Sequence, residues 1–347
     1  MHILRVLYIL IPLGSTLITS GESADDFFDY EDNEDSSAQN LTKCFFSKGL
    51  CVNQWNCTHP SVPTTKYMIN LTKKHNCDYL EICCNKENIV KNYTRPTAKK
   101  VECGYANPSG VLMTIKGDTQ GAVNFGAYPW TVAIFDTEYE YRCAGALIHF
   151  QVVLTTGSCL GPVRTKLIAR AGEWDMNTIE EILPNEEMSE YTKIYHSKYD
   201  KDSEEYNIAL LILNKEFTAL PHIQTVCLPM EHTKVMESDC LTTGWEKFSR
   251  RRQVFLQSNR MNVSNDLCST EPNSNLFCAS SQEEGVEWAL GSSLVCPWVN
   301  SENRYSVRGL WISEAGEVNK PTYFLNVTKF TPWIIEQLKN RNINVST

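Results

Sequence analysis

Residues 128–159 (YPWTVAIFDTEYEYRCAGALIHFQVVLTTGSC) carry the pattern that decides the fold. Short runs of β-branched and aromatic residues alternate there with turn residues. The pattern returns later in the chain, and the predicted strand runs are 130–135, 146–154, 208–213 and 323–327. This spacing predicts an all-β barrel or a pair of packed sheets. Only residues 331–340 look helical, with a threonine cap and a proline in the first turn.

Six short motifs follow one another in a fixed order along this β-rich part. They are Tyr128-Pro-Trp-Thr-Val-Ala, Cys143-Ala-Gly-Ala-Leu-Ile, Val153-Leu-Thr-Thr-Gly-Ser-Cys159, Tyr206-Asn-Ile-Ala-Leu-Leu211, Val226-Cys-Leu-Pro229 and Cys240-Leu-Thr-Thr-Gly-Trp245. Together they resemble the trypsin/chymotrypsin-like serine protease domain, and the resemblance covers residues 104–340. It implies two six-stranded antiparallel β-barrels with a C-terminal helix and a cleft between the barrels.

An active member of this family uses a serine nucleophile, a histidine base and an aspartate that orients the histidine. This chain has Ser158 where the histidine belongs, Asn207 where the aspartate belongs and Leu290 where the serine belongs. Serine cannot take up a proton near neutral pH, asparagine carries no charge, and leucine has no nucleophilic atom. We therefore expect a serine endopeptidase fold without peptidase activity.

The positions around the triad depart from the family pattern as well. Trp288 stands where a glycine amide would line the oxyanion hole. Ala289 replaces the aspartate that would pair with the new N-terminus of an activated protease, and residues 117–120 (GDTQ) replace the expected Ile-Val-Gly-Gly. The altered positions of the specificity pocket are Glu284, Ile312 and Thr322. The resemblance therefore implies a closed pocket and no activation ion pair.

Fourteen cysteines fall into two groups, six within residues 44–84 and eight within residues 103–296. The first group lies in a segment too small to bury a large core, so we expect disulfides to hold it together. This segment resembles the clip domain of arthropod proteases. The pairs that the resemblance implies are Cys44–Cys83, Cys51–Cys77, Cys57–Cys84, Cys103–Cys227, Cys143–Cys159, Cys240–Cys296 and Cys268–Cys278.

These patterns divide the chain into five parts. We expect a signal peptide over 1–20, an acidic disordered segment over 21–43, the clip domain over 44–84, a linker over 85–103 and the inactive serine protease-like domain over 104–347. Arg5 precedes an apolar run over 6–13, as in secretory signals, and no later run is long enough for a membrane-spanning helix. The N-glycosylation sequons agree with secretion: Asn40, Asn56, Asn70, Asn92, Asn262, Asn326 and Asn344.

The charge of the chain is concentrated in one segment. Acidic residues number 41 against 32 basic ones, and eight of the acids lie in residues 22–35, which hold no base. The remainder is close to neutral, which argues against nucleic acid as a partner. No cofactor or metal is expected. The acidic stretch 173–187 falls where some relatives bind calcium, but we interpret it as a solvated loop.

The resemblance implies a secreted cofactor or regulator of an extracellular protease cascade in haemolymph-like fluid. Such cascades serve innate immunity, chiefly through prophenoloxidase activation and melanisation. The partners would be clip-domain proteases, other protease homologues or prophenoloxidase. The alternative is a secreted adhesion or matrix-binding module that uses the same inactive fold in development. Basic residues in polar sequence make Lys100 and Lys116 the candidate sites of regulatory cleavage.

Overall fold

The computed structural model describes residues 42–44, 49–53, 56–57, 67–70, 77, 81–90, 100–116, 121–178, 181, 183–245, 255–263, 275–281, 289–312 and 322–345. For residues 67–70, 113 and 116 the description covers the backbone only. The predicted signal peptide lies outside these residues, and so do most of the acidic segment and part of the linker. The individual predictions that fall outside them are residues 117–120, Asn40, Asn92, Cys268, Glu284 and Trp288.

The cysteine-rich segment contains a small antiparallel sheet held by three disulfides. The sheet consists of β1 (Lys43–Cys44), β2 (Gly49–Asn53) and β4 (Glu81–Asn85), with β2 in the centre. The bonds join Cys44 to Cys83, Cys51 to Cys77 and Cys57 to Cys84, the pairs that the resemblance implied. The buried apolar cluster of this sheet is small, so the covalent bonds take over much of the stabilisation that a core provides elsewhere.

Another strand of this segment pairs with a strand that precedes the large sheets. β3 (Tyr67–Asn70) lies parallel to β5 (Met113–Lys116). Asn70 and Lys116 are register partners in this pair. Both strands belong to one compact unit, Leu41–Thr347. The clip segment is therefore attached through backbone hydrogen bonds to the residues that end at the candidate cleavage site.

Seven strands form the first large sheet: β6 (Thr131–Phe135), β7 (Tyr141–His149), β8 (Val152–Thr155), β9 (Ile168–Ala171), β10 (Glu186–Met188), β11 (Tyr191–Tyr195) and β12 (Ala209–Leu213). Their spatial order is β10-β9-β6-β7-β8-β12-β11. The single run predicted over 146–154 is wrong, because a turn at residues 150 and 151 divides it between β7 and β8. The sheet is also not a closed six-stranded barrel. β10 has only three residues, and within the described residues no ladder joins it to β11.

The second large sheet is a closed six-stranded barrel, as the resemblance implied. Its strands are β13 (Cys240–Gly244), β14 (Gln257–Val263), β15 (Leu276–Ser281), β16 (Ser293–Pro297), β17 (Tyr305–Trp311) and β18 (Thr322–Asn326). They follow one another around the barrel in the order β13-β14-β15-β18-β17-β16, and all are antiparallel to their neighbours. One apolar core contains residues from both large sheets, including Leu147, Leu154 and Leu310. The trypsin-like two-barrel fold is thus confirmed, with one closed barrel and one half-barrel.

The C-terminal helix is longer than the sequence predicts. α2 spans Val327–Lys339, so it begins before the predicted cap at Thr331 and contains Pro332 in its interior. Proline at that position removes one backbone hydrogen bond. Burial of an apolar stripe offsets this loss, and the stripe consists of Val327, Phe330, Ile334 and Leu338. The proline therefore marks neither the beginning nor the end of this helix.

Candidate functional site

Two of the altered triad positions contact each other just beyond β8. Ser158 lies in α1 (Gly157–Leu160), a one-turn helix that the sequence did not predict, and Thr156 caps it by accepting from the Cys159 N–H at 3.2 Å. Asn207 precedes β12 and is completely buried. Its Oδ1 accepts from the Ser158 N–H at 2.9 Å, and its Nδ2 donates to Ser158 Oγ at 3.0 Å. The pair is thus neutral and mutually satisfied.

The third altered position, Leu290, lies in a loop with a tightly constrained backbone. Its carbonyl accepts from the Ala144 N–H at 2.9 Å, and its side chain packs in the shared core. The next residue, Gly291, has a φ of 74°, and a Cβ there would lie 2.2 Å from Thr155 Oγ1 and 2.3 Å from Ala144 O. Only glycine fits this position. Because Thr155 ends β8 shortly before Ser158, the fold brings all three altered positions to one region.

Ala289, at the predicted activation position, is completely buried. Its carbonyl accepts from the Ser292 N–H at 3.1 Å, which closes the turn around Leu290. The methyl side chain offers no charge to a cationic N-terminus. An ammonium group brought to this place would lose its water without gaining a counter-ion there, which is costly. The described part of the loop therefore lacks the acidic half of an activation ion pair.

Two members of the predicted specificity pocket lie within the described residues. Ile312 follows β17, is half-buried and packs against the shared core. Thr322 begins β18, is buried and lies opposite Ala279 of β15. On the same two strands, Trp311 packs edge-on against Phe324 with ring centroids 5.4 Å apart. Branched side chains therefore occupy both positions at which the resemblance expects glycine.

Disulfides hold the elements around this region. Cys143 of β7 is bonded to Cys159 of α1, one residue after Ser158. The other two complete pairs of the barrel part are Cys103–Cys227 and Cys240–Cys296. Cys278 is also disulfide-bonded, and its implied partner, Cys268, lies outside the described residues. These bonds therefore hold the elements on which Ser158 and its neighbours lie.

The acidic stretch 173–187 is not a solvated loop over its first part, contrary to the prediction. Glu173, Asp175 and Glu181 are all buried. Glu181 Oε1 accepts the backbone N–H groups of Trp174 and Asp175, both at 2.8 Å. Burial raises the pKa of the Glu181 carboxyl well above its ordinary value, and the nearby Glu173 carboxylate raises it further. Glu181 therefore tends to keep its proton.

Arg170 of β9 supplies the positive charge for this buried cluster. Its guanidinium donates to Glu173 at 2.6 Å and also to Glu187, and it lies over the Phe135 ring at 4.5 Å. Calcium binds six to eight oxygen ligands in proteins. Arg170 and Asn185 already donate to Glu173 Oε2, and two backbone amides donate to Glu181 Oε1. The described residues of this loop therefore do not fit a calcium ion.

The two candidate cleavage sites differ in their surroundings. Lys100 Nζ lies 2.5 Å from Glu216 Oε2, and it also lies over the Phe150 ring at 5.0 Å from the centroid. The backbone of Lys116 is instead part of the β3–β5 ladder. Each site is therefore engaged in the fold, one through its side chain and the other through its backbone.

The sequons also differ in their surroundings. Asn262 and Asn344 are exposed, and Asn56 is half-buried. Asn326 is buried, and its Oδ1 accepts from the Arg308 guanidinium at 2.6 Å. The side chain that would carry the glycan is thus buried and hydrogen-bonded within the fold, which argues against the prediction at this one position.

The comparisons with known proteins agree with this geometry. The family model "Trypsin" matches residues 118–334. Phenoloxidase-activating factor 2 of Galleria mellonella is 31% identical over 71% of this chain and 91% of its own length. The inactive CLIP domain-containing serine protease A8 of Anopheles gambiae is 27% identical, over 74% of this chain and 77% of its own length. The inactive CLIP domain-containing serine protease A28 of the same species is 26% identical, over 78% and 80%.

The fold and the site therefore define a protein with the trypsin-like two-barrel architecture and a disulfide-linked clip region. The chain belongs to the trypsin family, and it is similar to clip-domain serine protease homologues that are named inactive. Within the described residues, no helix has the length and apolar character to span a membrane.

Proposed function

We propose that this chain is a secreted serine protease homologue without peptidase activity. We further propose that it acts as a cofactor or regulator of an extracellular cascade that activates prophenoloxidase and leads to melanisation. Leu290 at the nucleophile position is the observation that carries the first part of this proposal, because no covalent acyl-enzyme can form on an aliphatic side chain.

The two neighbouring substitutions remove the remaining catalytic chemistry. Ser158 Oγ donates to Thr156 Oγ1 at 3.2 Å and accepts from Asn207 Nδ2. The hydroxyl is therefore already engaged in hydrogen bonds at the start of α1. Neither residue can store the proton that a general base takes up. Loss of a single triad member typically lowers the catalytic rate by about 10⁴-fold. With all three replaced, we expect no measurable turnover.

Proteolytic activation is not expected to restore a site. Active relatives use a new N-terminus to order the nucleophile loop, and the buried Ala289 offers it no carboxylate. Gly291 and the Ala144 hydrogen bond keep the loop folded without that ion pair. Cleavage of this chain would therefore act by exposing or freeing a surface, and the function of the fold would be binding.

The cascade role comes from the relatives. One of them is named a phenoloxidase-activating factor, and it aligns with this chain over most of both lengths. Others are named inactive CLIP domain-containing proteases. A fold that keeps its disulfides and core while it loses its chemistry suits a protein that binds proteases or their substrates.

Reconstitution tests the proposal. Prophenoloxidase and its activating protease are incubated with and without the purified chain, and phenoloxidase activity is followed. We expect the chain to change the rate several-fold, while the chain alone leaves prophenoloxidase uncut. A reduced and alkylated sample is the control, since it lacks the disulfide framework. An unchanged rate at every ratio would contradict the cascade role and would leave the developmental binding module as the alternative.

A further inference from the structure

The loop of residues 161–166, which directly follows α1, carries an exposed apolar side chain and two exposed cations. Val163 is 75% exposed, the largest exposed fraction among the large apolar side chains that the structure describes. Arg164 and Lys166, on the same loop, are exposed as well. An isolated exposed valine is ordinary on a protein surface. The way this loop is held, and the charges around it, distinguish it.

The loop is rigid because side chains from a neighbouring strand bind its carbonyl groups. Lys193 of β11 donates to the carbonyls of Leu160, Pro162 and Thr165, at 2.7, 3.2 and 2.7 Å. Tyr195 of the same strand donates to the Gly161 carbonyl at 2.6 Å. The Cys143–Cys159 disulfide fixes the base of the loop. A surface that is already ordered loses less entropy when a partner binds.

Four cations belong to this loop or contact it, and among the described residues none of the four is in an ion pair with a carboxylate. Arg142 Nη2 lies 3.7 Å from the position that a Cβ would take at Gly161, and Arg142 Nε is buried without a hydrogen-bond partner. Burial and the nearby Arg142 lower the pKa of the Lys193 ammonium to about 8. The ion pairs of the described residues all involve cations other than Arg142, Arg164, Lys166 and Lys193. This cluster is therefore an uncompensated positive surface on a chain whose net charge is negative.

We propose that residues 161–166, together with Arg142 and Lys193, form a docking surface for an acidic segment of a partner protein that carries an apolar side chain. Val163 makes the apolar contact, and Arg142, Arg164 and Lys166 supply donors to carboxylates of the partner. Lys193 uses its three donors on carbonyls of the loop and holds the loop in place. Charge complementarity of this kind sets both the orientation and the speed of association. A sulfated polysaccharide would use the cations but not Val163. This proposal goes beyond the cascade role, and binding to the surface is measured with purified components. Either proposal can therefore be disproved without the other.

The test is a binding titration of the full-length chain with a synthetic fluorescent peptide in which acidic residues flank a Phe-Leu pair. The salt concentration is physiological, so that long-range attraction between exposed charges is screened. We expect Arg164→Glu with Lys166→Glu to weaken binding about tenfold or more. Val163→Ser should weaken it about fivefold, because it removes the apolar contact. A peptide with Ser-Ser in place of Phe-Leu should likewise bind about fivefold more weakly.

The matched control reverses two exposed cations elsewhere, Lys215→Glu with Lys329→Glu, and should change the affinity by less than about twofold. Thermal unfolding of each variant checks that the fold is intact. Absence of binding at peptide concentrations of about 1 mM would overturn the proposal. Equal weakening by the control pair, or full affinity of Val163→Ser, would show non-specific attraction instead. If heparin bound more tightly than the peptide and Val163→Ser did not change its affinity, the surface would be assigned to a polysaccharide.

Discussion

Asn207 is completely buried, and both ends of its amide are used by Ser158. An aspartate at this position would bury a charge, which is favourable only when a cationic or strongly donating partner is present. Ser158 supplies one N–H and one hydroxyl, so the neutral amide suits the local surroundings better than the carboxylate would. Substitution at one triad position thus makes substitution at the other less costly.

Restoring the triad alone is expected to leave the chain inactive. The change is Ser158→His, Asn207→Asp and Leu290→Ser, with Ala289, Ile312 and Thr322 left in place. No ion pair can then order the nucleophile loop, and branched side chains remain in the pocket, so turnover should stay at the level of the unmodified chain. A peptide library and labelling by a fluorophosphonate measure this, with circular dichroism as the check on folding. Appreciable turnover would show that the pocket is more open than Ile312 and Thr322 indicate.

Glycosylation is expected to distinguish two sequons of the second barrel. Asn326 is buried and bound to Arg308, whereas Asn262 is exposed on β14. We expect secreted protein to carry no glycan at Asn326, and Asn326→Gln to leave the mobility on a gel unchanged. Asn262→Gln is the matched variant, and it should remove the mass of one glycan. Mass spectrometry of glycosidase-treated peptides makes the measurement, and an occupied Asn326 would contradict the position of this side chain.

Sequence motifs located Ser158, Asn207 and Leu290 because each lies at a fixed offset from a cysteine or a strand. The buried pair of Glu173 and Glu181 was missed for a physical reason. A run of acids normally indicates solvent, and the cation that neutralises this one, Arg170, comes from the preceding strand β9. Which side chain of a strand faces which loop depends on register and packing, and neither is visible in composition.

Sequence patterns also place the ends of strands and helices only approximately, because packing decides where each element begins and ends. The runs that predict strands 130–135 and 208–213 correspond to β6 and β12 within one residue at their start. The continuous run 146–154 contains no glycine or proline, so nothing in it signals the turn between β7 and β8. The proline that was interpreted as the first turn of α2 is an interior residue, because burial of the apolar stripe extends the helix.

Cleavage of the linker is expected to depend on these element contacts. Glu216→Gln removes the ion pair of Lys100, and an exposed pair is worth about 0.2–1 kcal/mol. We therefore expect limited trypsin digestion at Lys100 to become a few-fold faster. Electrophoresis distinguishes the sites, because a cut at Lys100 releases the clip segment without reduction. After a cut at Lys116, the Cys103–Cys227 bond keeps the pieces together.

Glu231→Gln is the control for this digestion, since Glu231 is exposed and no described ion pair involves it. Equal cleavage rates in the two variants would rule out protection by Glu216. Cleavage at Lys116 should be slow in all of them, since a protease binds its substrate as an extended strand, and β3 already pairs with that backbone. Lys116→Gln identifies the band.

For the whole molecule, two buried titratable groups limit stability from opposite sides of the pH scale. His222 stacks on Phe125 with centroids 5.1 Å apart, and its Nε2 lies 3.1 Å from the Pro184 carbonyl, which only accepts. Burial lowers the pKa of the His222 imidazole to about 4. Glu181 has the opposite shift, because burial and Glu173 raise the pKa of its carboxyl. The folded state therefore prefers a neutral His222 and a protonated Glu181.

The sign of each contribution follows from which state binds more protons. As the pH falls from 6.5 towards 4, the unfolded state protonates His222 and the folded state does not, so this group lowers stability by about 1 kcal/mol per pH unit in the middle of that range. As the pH rises above 4.5, the unfolded state releases the Glu181 proton and the folded state keeps it, so stability falls until the raised pKa is passed.

Urea unfolding followed by tryptophan fluorescence measures how stability depends on pH on both sides. His222→Gln should flatten the acid side and Glu181→Gln the alkaline side, while the exposed controls His232→Gln and Glu231→Gln should leave both unchanged. Acid-side slopes that are identical in His222→Gln and His232→Gln would mean that His222 is not buried as a neutral ring in the folded protein.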